Sequence, residues 1–341
     1  MRAIVYDHPG NSDVLELRDR PVPEPGPDEV RVRIAVSGVN PTDWKGRRNP
    51  YPGRPEGAEL VPNQDGAGTV DAVGEGVDPG LVGRRVWLWE SAFQRGGGTA
   101  QEYTVVRADH VVPLPDGVSF ELGASLGVPA ITAHRCLTVT EGGPDRLAPG
   151  ALDGRTVLVA GGAGAVGNAA IQLARWAGAT VITTVSGAEK ATLARAAGAH
   201  HVVNYREGDT VAAVREIAPD GVQAIVEVAP AANAQLDSRV VAVNGSIACY
   251  ANNGGSEVTL PIRDNMARNA RWQFVLIHSM PQAAKRHAVE AVTAALQDGA
   301  LRVGEEAGLP LHRYPLEQTA AAHDAVENGA VGKVLIDVQN G

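Results

Sequence analysis

The chain has 341 residues, of which 44% are hydrophobic and 20% charged, and its 39 acidic and 30 basic side chains give a formal net charge of −9. This length exceeds that of one ordinary hydrophobic core, so two domains are expected, and the acidic balance argues against a general binder of nucleic acid or anionic membranes. The N-terminus lacks the apolar core of a signal peptide, and no apolar run reaches the ~18 residues of a membrane span, so we expect a cytoplasmic location. The two cysteines, Cys136 and Cys249, are too few for a disulfide framework or a cysteine-rich metal site.

The first 120 residues have the pattern of a β domain. Ten of the 22 prolines lie within the first 62 residues, which disfavours long helices there. Val30, Val32, Ile34 and Val36 occupy every second position, as in a half-buried strand. Short β-like runs separated by turn residues occur at 2–6, 14–18, 29–36, 68–73, 84–89 and 103–106. We therefore predict a compact antiparallel β domain.

After residue 121 the pattern changes to alternating strands and helices. Predicted strands lie at 156–160, 180–185, 201–205, 224–228, 246–250 and 272–277, with helices at 165–178 and 189–198. The tail adds helices at 283–299 and 318–329 and a strand at 333–338. Six strands linked by helical crossovers predict a doubly wound parallel sheet of the α/β class.

The segment LVAGGAGAVGNAA (158–170) contains Gly162, Gly164 and Gly167 in a GxGxxG arrangement, directly after a predicted strand and at the start of a helix. This is the context of a dinucleotide-binding turn. The first glycine permits the tight turn, the second lets a pyrophosphate approach the backbone, and the third allows close contact of helix and strand. The pyrophosphate would accept from free N–H groups at the helix N-terminus. The alternative is a glycine-rich turn that serves packing alone.

The end of the second strand of this region indicates which dinucleotide is bound. An NAD site usually places an Asp or Glu there to accept from the ribose hydroxyls, whereas this chain has Ser186, with Lys190 one helical turn later. A hydroxyl and an ammonium suit a 2′-phosphate, which a carboxylate would repel. Tyr205 and Arg206, after the third strand, are placed to close the same pocket. NADPH is the predicted cofactor; the alternative makes Lys190 an ordinary solvated lysine.

The sequence does not favour a catalytic zinc. Zinc needs three or four Cys, His or carboxylate ligands at suitable spacing, and neither cysteine has a CxxC partner. His200 and His201 occupy a helix-to-strand connection and have the pattern of a solvated turn.

Four stretches of the chain resemble motifs of the zinc-free quinone oxidoreductase (zeta-crystallin-like) branch of the medium-chain dehydrogenase/reductase superfamily. In SGVNPTDWKGR (37–47), Asn40 stands where zinc alcohol dehydrogenases carry a ligand cysteine. In NQDGAGTVDAVGEGV (63–77), Gln64 and Asp65 replace the His and Glu of those enzymes. GVPAITAHRCL (127–137) and the long segment 159–207 are similar as well.

The resemblance implies a GroES-like β-barrel domain at residues 1–124 and 273–341, closed by the C-terminal tail, a Rossmann domain at 125–272, and a homodimer. Two departures concern substrate identity: Lys45 replaces a tyrosine common in the branch, and segment 138–154 is longer than usual. By motif match, twelve residues would line the cofactor: Asn40, Thr132, Gly164, Ala165, Val166, Ser186, Lys190, Tyr205, Asn252, Phe274, Leu276 and Lys333.

The implied reaction is transfer of hydride from C4 of NADPH to a small-molecule quinone or to the β-carbon of an enone. Such a reaction needs positioning and modest electrostatic stabilisation of the acceptor oxygen. Asn40 is predicted to donate to that oxygen or to the cofactor, Tyr51 to hydrogen-bond or stack on the acceptor, and Asp43 to orient the loop. Alternatively, Asp43 only caps a turn and Tyr51 is a packed turn residue. Cys249 is expected in the core.

Two other functions remain open at this point. The first is an enoyl-thioester or enone reductase of a biosynthetic pathway, for which Arg47, Arg48 and Arg54 would form a basic entrance. The second is a non-catalytic protein that binds NADPH structurally.

Overall fold

The computed structural model describes residues 1–49 and 57–339. The chain forms two compact units, Met1–Val128 together with Leu311–Gly341, and Pro129–Pro310. No helix of the described residues is long and apolar enough to cross a membrane.

The N-terminal part of the chain is built from short strands and two helices. The strands are β1 (Arg2–Val5), β2 (Glu16–Asp19), β3 (Glu29–Val39), β4 (Asp65–Val73), β5 (Arg85–Leu88), β6 (Tyr103–Arg107) and β7 (Val111–Pro113). The helices are α1 (Pro41–Arg48) and α2 (Phe120–Gly123). The predicted β runs are thereby confirmed, whereas α1 was not predicted.

The middle of the chain alternates helix and strand. Its helices are α3 (Gly127–Leu137), α4 (Ala165–Trp176), α5 (Ala188–Ala196), α6 (Thr210–Ile217), α7 (Pro230–Val240), α8 (Ile262–Ala267) and α9 (Gln282–Gln297). Its strands are β8 (Thr156–Ala160), β9 (Thr180–Val185), β10 (His201–Asn204), β11 (Val222–Glu227), β12 (Val241–Cys249) and β13 (Arg271–Phe274). The chain ends with β14 (Leu311–Pro315), α10 (Thr319–Glu327) and β15 (Lys333–Asp337).

In the first unit, β3 is the central strand of a sheet ordered β14-β15-β3-β4-β5-β7, with β6 also paired to β3. The pairs are antiparallel except β14–β15, which run parallel. Val30, Val32 and Ile34 alternate into the core and are fully buried, as their spacing predicts. The C-terminal tail returns to this unit because β15 pairs with β3, with Val334 opposite Val39.

In the second unit, six parallel strands are ordered β10-β9-β8-β11-β12-β13. The order reverses at β8, since β9 and β10 lie to one side of this strand and β11 to β13 to the other. This is the doubly wound arrangement that binds dinucleotides at the reversal point, and it confirms the predicted fold class.

Residues 273–310 lie in the second unit, whereas the sequence-based division assigned them to the first. Strand β13 continues the parallel sheet beside β12. The buried amides of Asn168 and Gln172 donate to the carbonyls of Ala307 (2.8 Å) and Arg302 (3.1 Å). These contacts tie the segment to α4, which an assignment from strand and helix pattern does not reveal.

Segment 138–154, whose role the sequence left open, packs into the second unit. Leu147 and Leu152 are buried. The Leu147 N–H donates to His134 Nε2 at 3.2 Å, and the Leu152 N–H donates to the Ala177 carbonyl at 2.8 Å. The segment therefore secures the end of α3 and the end of α4.

Candidate functional site

The glycine turn between β8 and α4 contains two glycines that packing requires. A Cβ at Gly162 would lie 2.2 Å from Thr183 Oγ1, and one at Gly167 would lie 2.4 Å from the Gly161 carbonyl oxygen. Gly161 itself has a φ of +72°, in the left-handed region that favours glycine. Packing therefore requires these glycines, in keeping with the tight turn and the helix–strand contact predicted for the first and third glycines of the pattern.

Gly164 differs, because packing among the described residues does not require a glycine there. The one atom of those residues within 4 Å of a Cβ at Gly164 would be the Gly161 carbonyl oxygen, at 3.5 Å, and the φ of −84° suits any residue. The residue is exposed. A backbone left bare where the protein has room for a side chain fits the close approach of a ligand.

The N-terminus of α4 supplies donors beside this bare backbone. Gly164 is the N-cap residue, and no side chain accepts from the first turn. The N–H groups of Ala165, Val166 and Gly167 have no acceptor within the helix. Together with the positive end of the helix dipole, they form an arrangement suited to a pyrophosphate.

The carboxyl ends of β9 and β10 bring together the residues predicted to hold a 2′-phosphate. Ser186 directly follows β9, Lys190 lies in the first turn of α5, and Tyr205 follows β10, with its N–H donating to the Val185 carbonyl at 3.1 Å. Ser186 and Lys190 are half-buried, and Tyr205 is 51% exposed. None of the three side chains has a hydrogen bond or ion pair within the described part of the chain, so all three are available to a ligand. Arg206 is exposed at the same edge.

The other predicted cofactor residues of this unit belong to α3 and to the segments that follow β12 and β13. Thr132 on α3 is buried, and Asn252, in the loop after β12, is exposed. Phe274 is 62% exposed and Leu276 43% exposed at the end of β13. The last three residues therefore share the carboxyl edge of the sheet with the glycine turn.

In the first unit, Asn40, Asp65 and Lys333 form a buried hydrogen-bonded cluster. Asn40 Nδ2 donates to Asp65 Oδ2 at 2.7 Å, and Lys333 Nζ donates to Asn40 Oδ1 at 2.7 Å and to the Val39 carbonyl at 3.1 Å. The Val128 N–H donates to both Asp65 oxygens at 2.9 Å. Neither the role of Asp65 nor its link to Lys333 was predicted from the sequence.

This cluster fixes the orientation of the Asn40 amide. Its oxygen accepts from an ammonium and its nitrogen donates to a carboxylate, so a bond to a substrate would use the second Nδ2 hydrogen. Asn40 and Lys333 are 2% and 1% exposed. In the structure, their side chains are therefore hydrogen-bonded to each other and shielded from solvent.

Asp43 caps the turn that begins α1. Its Oδ2 accepts from the Asn40 N–H at 2.7 Å, and its Oδ1 accepts from the Gln64 N–H at 3.1 Å. Burial, followed by the charge of Asp65, raises the pKa of Asp43 to about 7, against the opposing effect of these N–H donors and Lys333. The carboxyl therefore holds the loop containing Asn40 in place.

Tyr51 and Arg54 lie outside the described residues. The basic entrance expected from Arg47 and Arg48 is not present in the structure. Arg47 is fully buried, 3.6 Å from Glu327. Arg48 pairs with the same carboxylate at 2.6 Å and with Asn11 at 3.0 Å. The two arginines therefore share one acid within the fold.

Two further predictions concern the thiol of Cys249 and the binding of a metal ion. Cys249 is 3% exposed, and burial, the largest cause, raises the pKa of its thiol to about 12. The thiol is therefore a core group. Within residues 1–49 and 57–339, no group of three or more His, Cys, Asp and Glu side chains is arranged to hold a metal ion.

Comparison with family models gives one match for each unit. Residues 26–116 match the alcohol dehydrogenase GroES-like domain, and residues 165–296 match the zinc-binding dehydrogenase domain.

Similar proteins extend over almost the whole chain. A quinone oxidoreductase of Lama guanicoe is 32% identical over 98% of this chain and 97% of its own length. Among solved structures, an NAD-dependent alcohol dehydrogenase matches with a TM-score of 0.86 and 30% identity, covering 99% of this chain and all of that one. A mycobacterial protein complexed with NADPH matches with a TM-score of 0.80 and 29% identity over 98% of this chain and 99% of that one.

Proposed function

This chain belongs to the zinc-free quinone oxidoreductase branch of the medium-chain dehydrogenase/reductase superfamily, and on that premise we propose that it transfers hydride from NADPH to quinones or other electron-poor carbonyl and enone acceptors without zinc. The observation that carries the proposal is the bare backbone at Gly164 beside the uncapped N-terminus of α4. NADPH supplies the hydride when bound. The chain's own residues bind the pyrophosphate, hold the 2′-phosphate and position the acceptor.

The preference for NADPH rests on the free side chains of Ser186, Lys190 and Tyr205. A similar structure is that of an NAD-dependent enzyme and another contains NADPH, so the fold accommodates either cofactor. The Lys190 ammonium, which has no partner among the described residues, favours the phosphorylated cofactor, as do the two hydroxyls at the same edge of the sheet. Asn40, Asp43 and Tyr51 are proposed as the residues that position the acceptor.

Zinc independence is supported by the hydrogen bonds that Asp65 and Asn40 form. Asp65 accepts from Asn40 Nδ2 and from the Val128 N–H, so a zinc ion would have to displace both bonds. An amide is also a poor substitute for a thiolate ligand. The homodimer and the cytoplasmic location remain predictions. Sedimentation measurements that gave the mass of a single chain would contradict the homodimer.

We expect protein dialysed against a chelator to oxidise NADPH with 1,4-benzoquinone or 9,10-phenanthrenequinone, and to oxidise ethanol and propanol negligibly. The reason is that an alcohol must lose its hydroxyl proton when it gives up hydride, which a zinc ion would assist by lowering the alcohol's pKa, whereas a quinone accepts hydride without such assistance. The measurement is the absorbance of NADPH across the panel, with crotonyl thioesters included. Activity restored only by added zinc, or alcohol turnover equal to quinone turnover, would contradict the proposal. NADPH binding without any turnover would favour the non-catalytic function.

Replacing Lys190 by alanine is expected to weaken NADPH binding by about 10- to 150-fold and to leave NADH binding nearly unchanged. The variant loses one charge-assisted hydrogen bond to the 2′-phosphate, which NADH does not have. High salt is expected to reduce the NADPH preference of the unmodified protein, because the contact is partly solvent-exposed. Fluorescence titration of both cofactors measures the ratio. Equal losses for the two would indicate general damage, and no loss would transfer the role to Arg206.

A further inference from the structure

Two carboxyl groups are fully buried against each other in the second unit. Glu227 is the last residue of β11, and Asp237 lies on α7; both are 0% exposed. The side chain of Glu227 acts electrostatically on that of Asp237. Two carboxylates buried this close together would repel each other, so we expect one of them to carry a proton.

The donors around the pair show which carboxyl is charged. Glu227 accepts from the Ala229 N–H and from Asn233 Nδ2, which lies 3.0 Å from Oε1 and 3.2 Å from Oε2. Neither oxygen of Asp237 accepts an N–H or a hydroxyl from the described residues. Hydrogen bonds to the anion stabilise it, so Glu227 is the carboxylate and Asp237 the neutral acid.

The titratable neighbours of the pair among residues 1–49 and 57–339 do not alter this assignment at neutral pH. Cys249 ends β12 and is followed by Tyr250, and α3 contributes Cys136; burial raises the pKa of each, so all three stay neutral. Burial, and then the charge of Glu227, raises the pKa of Asp237 well above its ordinary value.

The two helices that pack on α7 do not neutralise the pair. From α6, Arg215 donates to the carbonyls of Arg239 and Pro219. From α8, Asn265 donates to Ser238 Oγ. The proton on Asp237, rather than a neighbouring cation, therefore removes the repulsion between the two carboxyl groups.

The pair anchors a turn that contacts two parts of the dinucleotide site. The Cγ1 atom of Val228 lies 3.3 Å from where a Cβ at Gly161 would be, so it packs on the glycine turn. The Val228 carbonyl accepts from the Asn253 N–H at 3.2 Å, next to Asn252. The turn 228–233 thus lies between the glycine turn and the loop after β12.

The strand order indicates which half of the dinucleotide this turn serves. The 2′-phosphate pocket lies over β9 and β10, on one side of β8, and the turn follows β11 on the other side. A dinucleotide that crosses the sheet at β8 places its adenosine half over the former and its nicotinamide half over the latter.

We propose that Asp237 is a positioning residue: as a neutral acid it donates to Glu227 and so fixes the turn 228–233 as the wall of the nicotinamide half of the site. This inference rests on the proposed function, since it takes NADPH as the ligand. Loss of the proton at alkaline pH places two anions together, displaces the turn and weakens NADPH binding, while the adenosine half is unaffected.

The test compares Asp237→Asn, which keeps a donor without a titratable proton, with Asp237→Leu, which removes the donor at similar size. NADPH and 2′,5′-ADP, which carries the adenosine half alone, are titrated from neutral to alkaline pH. Asp237→Leu should bind NADPH at least about tenfold more weakly and 2′,5′-ADP within about threefold of the unmodified protein. Asp237→Asn should keep neutral-pH affinity and lose the alkaline weakening that the unmodified protein shows for NADPH relative to 2′,5′-ADP.

The outcomes separate this inference from the function on which it rests. Failure of the unmodified protein to bind NADPH would overturn the proposed function. NADPH binding that is insensitive to both substitutions, or equal losses for NADPH and 2′,5′-ADP in Asp237→Leu, would overturn the role of Asp237 alone. Should Asp237→Leu fail to fold, the pH profile of Asp237→Asn decides: an alkaline weakening equal to that of the unmodified protein overturns the inference.

Discussion

Replacing Gly164 by valine is expected to leave the protein folded and to reduce its affinity for NADPH by at least about 100-fold, or about 2.7 kcal/mol. Among the described residues there is room for a Cβ at this position, since it would lie within 4 Å of one atom, at 3.5 Å, and φ is −84°. A pyrophosphate that accepts from the N–H groups of Ala165 and Val166 does not have that room. The Gly164→Val substitution therefore tests whether glycine is needed at this position for cofactor binding rather than for folding.

The matched control for this substitution is Gly167→Ala, in the same turn. Its single methyl group would lie 2.4 Å from the Gly161 carbonyl oxygen and 2.9 Å from Gly162 Cα, both backbone atoms that cannot rotate away. We expect a loss of unfolding free energy of about 1–3 kcal/mol. Urea unfolding measures stability, and fluorescence titration measures binding. Gly164→Val would contradict the assignment if it were as destabilised as the control or if it bound NADPH normally.

The glycine turn shows how far a sequence pattern can be taken. GxGxxG, with its preceding strand and following helix, predicted the turn, the sheet class and the position of the helix N-terminus, because each depends on residues close together in the chain. It also assigned separate roles to the three glycines, but it could not identify the distant residues that enforce them. One of these is Thr183, from the neighbouring strand, whose hydroxyl excludes a side chain at Gly162.

Helix α1 was missed although its local signals are present. Asn40, Pro41 and Asp43 are a typical N-cap, first-turn proline and carboxylate at the third helical position. The density of prolines in this region favoured an all-β interpretation, and the eight-residue helix is too short to show a clear apolar period. In this case capping residues were more informative than composition.

The buried charges could not be predicted, because they depend on contacts between distant residues. Asp65 and Lys333 are brought together through Asn40 by the pairing of β15 with β3. Glu227 and Asp237 are nearer in sequence, but Glu227 ends a strand and Asp237 lies on a helix. Sequence periodicity relates residues within one element only, so it could not predict that these two lie side by side. A lone lysine or aspartate in the sequence looks like a solvated surface charge.

Replacing Lys333 by methionine is expected to cost about 3–5 kcal/mol of unfolding free energy at pH 8. Methionine has similar length and keeps the packing, but it leaves the carboxyl groups of Asp43 and Asp65 buried without the ammonium that opposes their charge. Removing one member of a buried ion pair costs about this much, because the charge of the other member is then left buried and uncompensated. Urea unfolding at fixed pH measures the loss.

The loss should depend on pH in a defined direction. The pKa of Asp43 is raised to about 7 in the folded protein from 3.8, so the stability contributed by its protonated form is fully present below about pH 4 and is lost as pH rises through about 7. Lys333 opposes that shift, so its removal raises the pKa of Asp43 further. The difference between the two proteins is therefore expected to be smaller at pH 5 than at pH 8.

Lys190→Met is the matched control, because Lys190 is half-buried and has no hydrogen bond or ion pair with the described residues. It should change stability by less than about 0.5 kcal/mol at either pH while weakening NADPH binding. Lys333→Met and Lys190→Met thus separate a lysine that holds the fold together from one that holds a phosphate. A loss for Lys333→Met that is small, or that is equal at pH 5 and pH 8, would mean that its ammonium does not compensate Asp43.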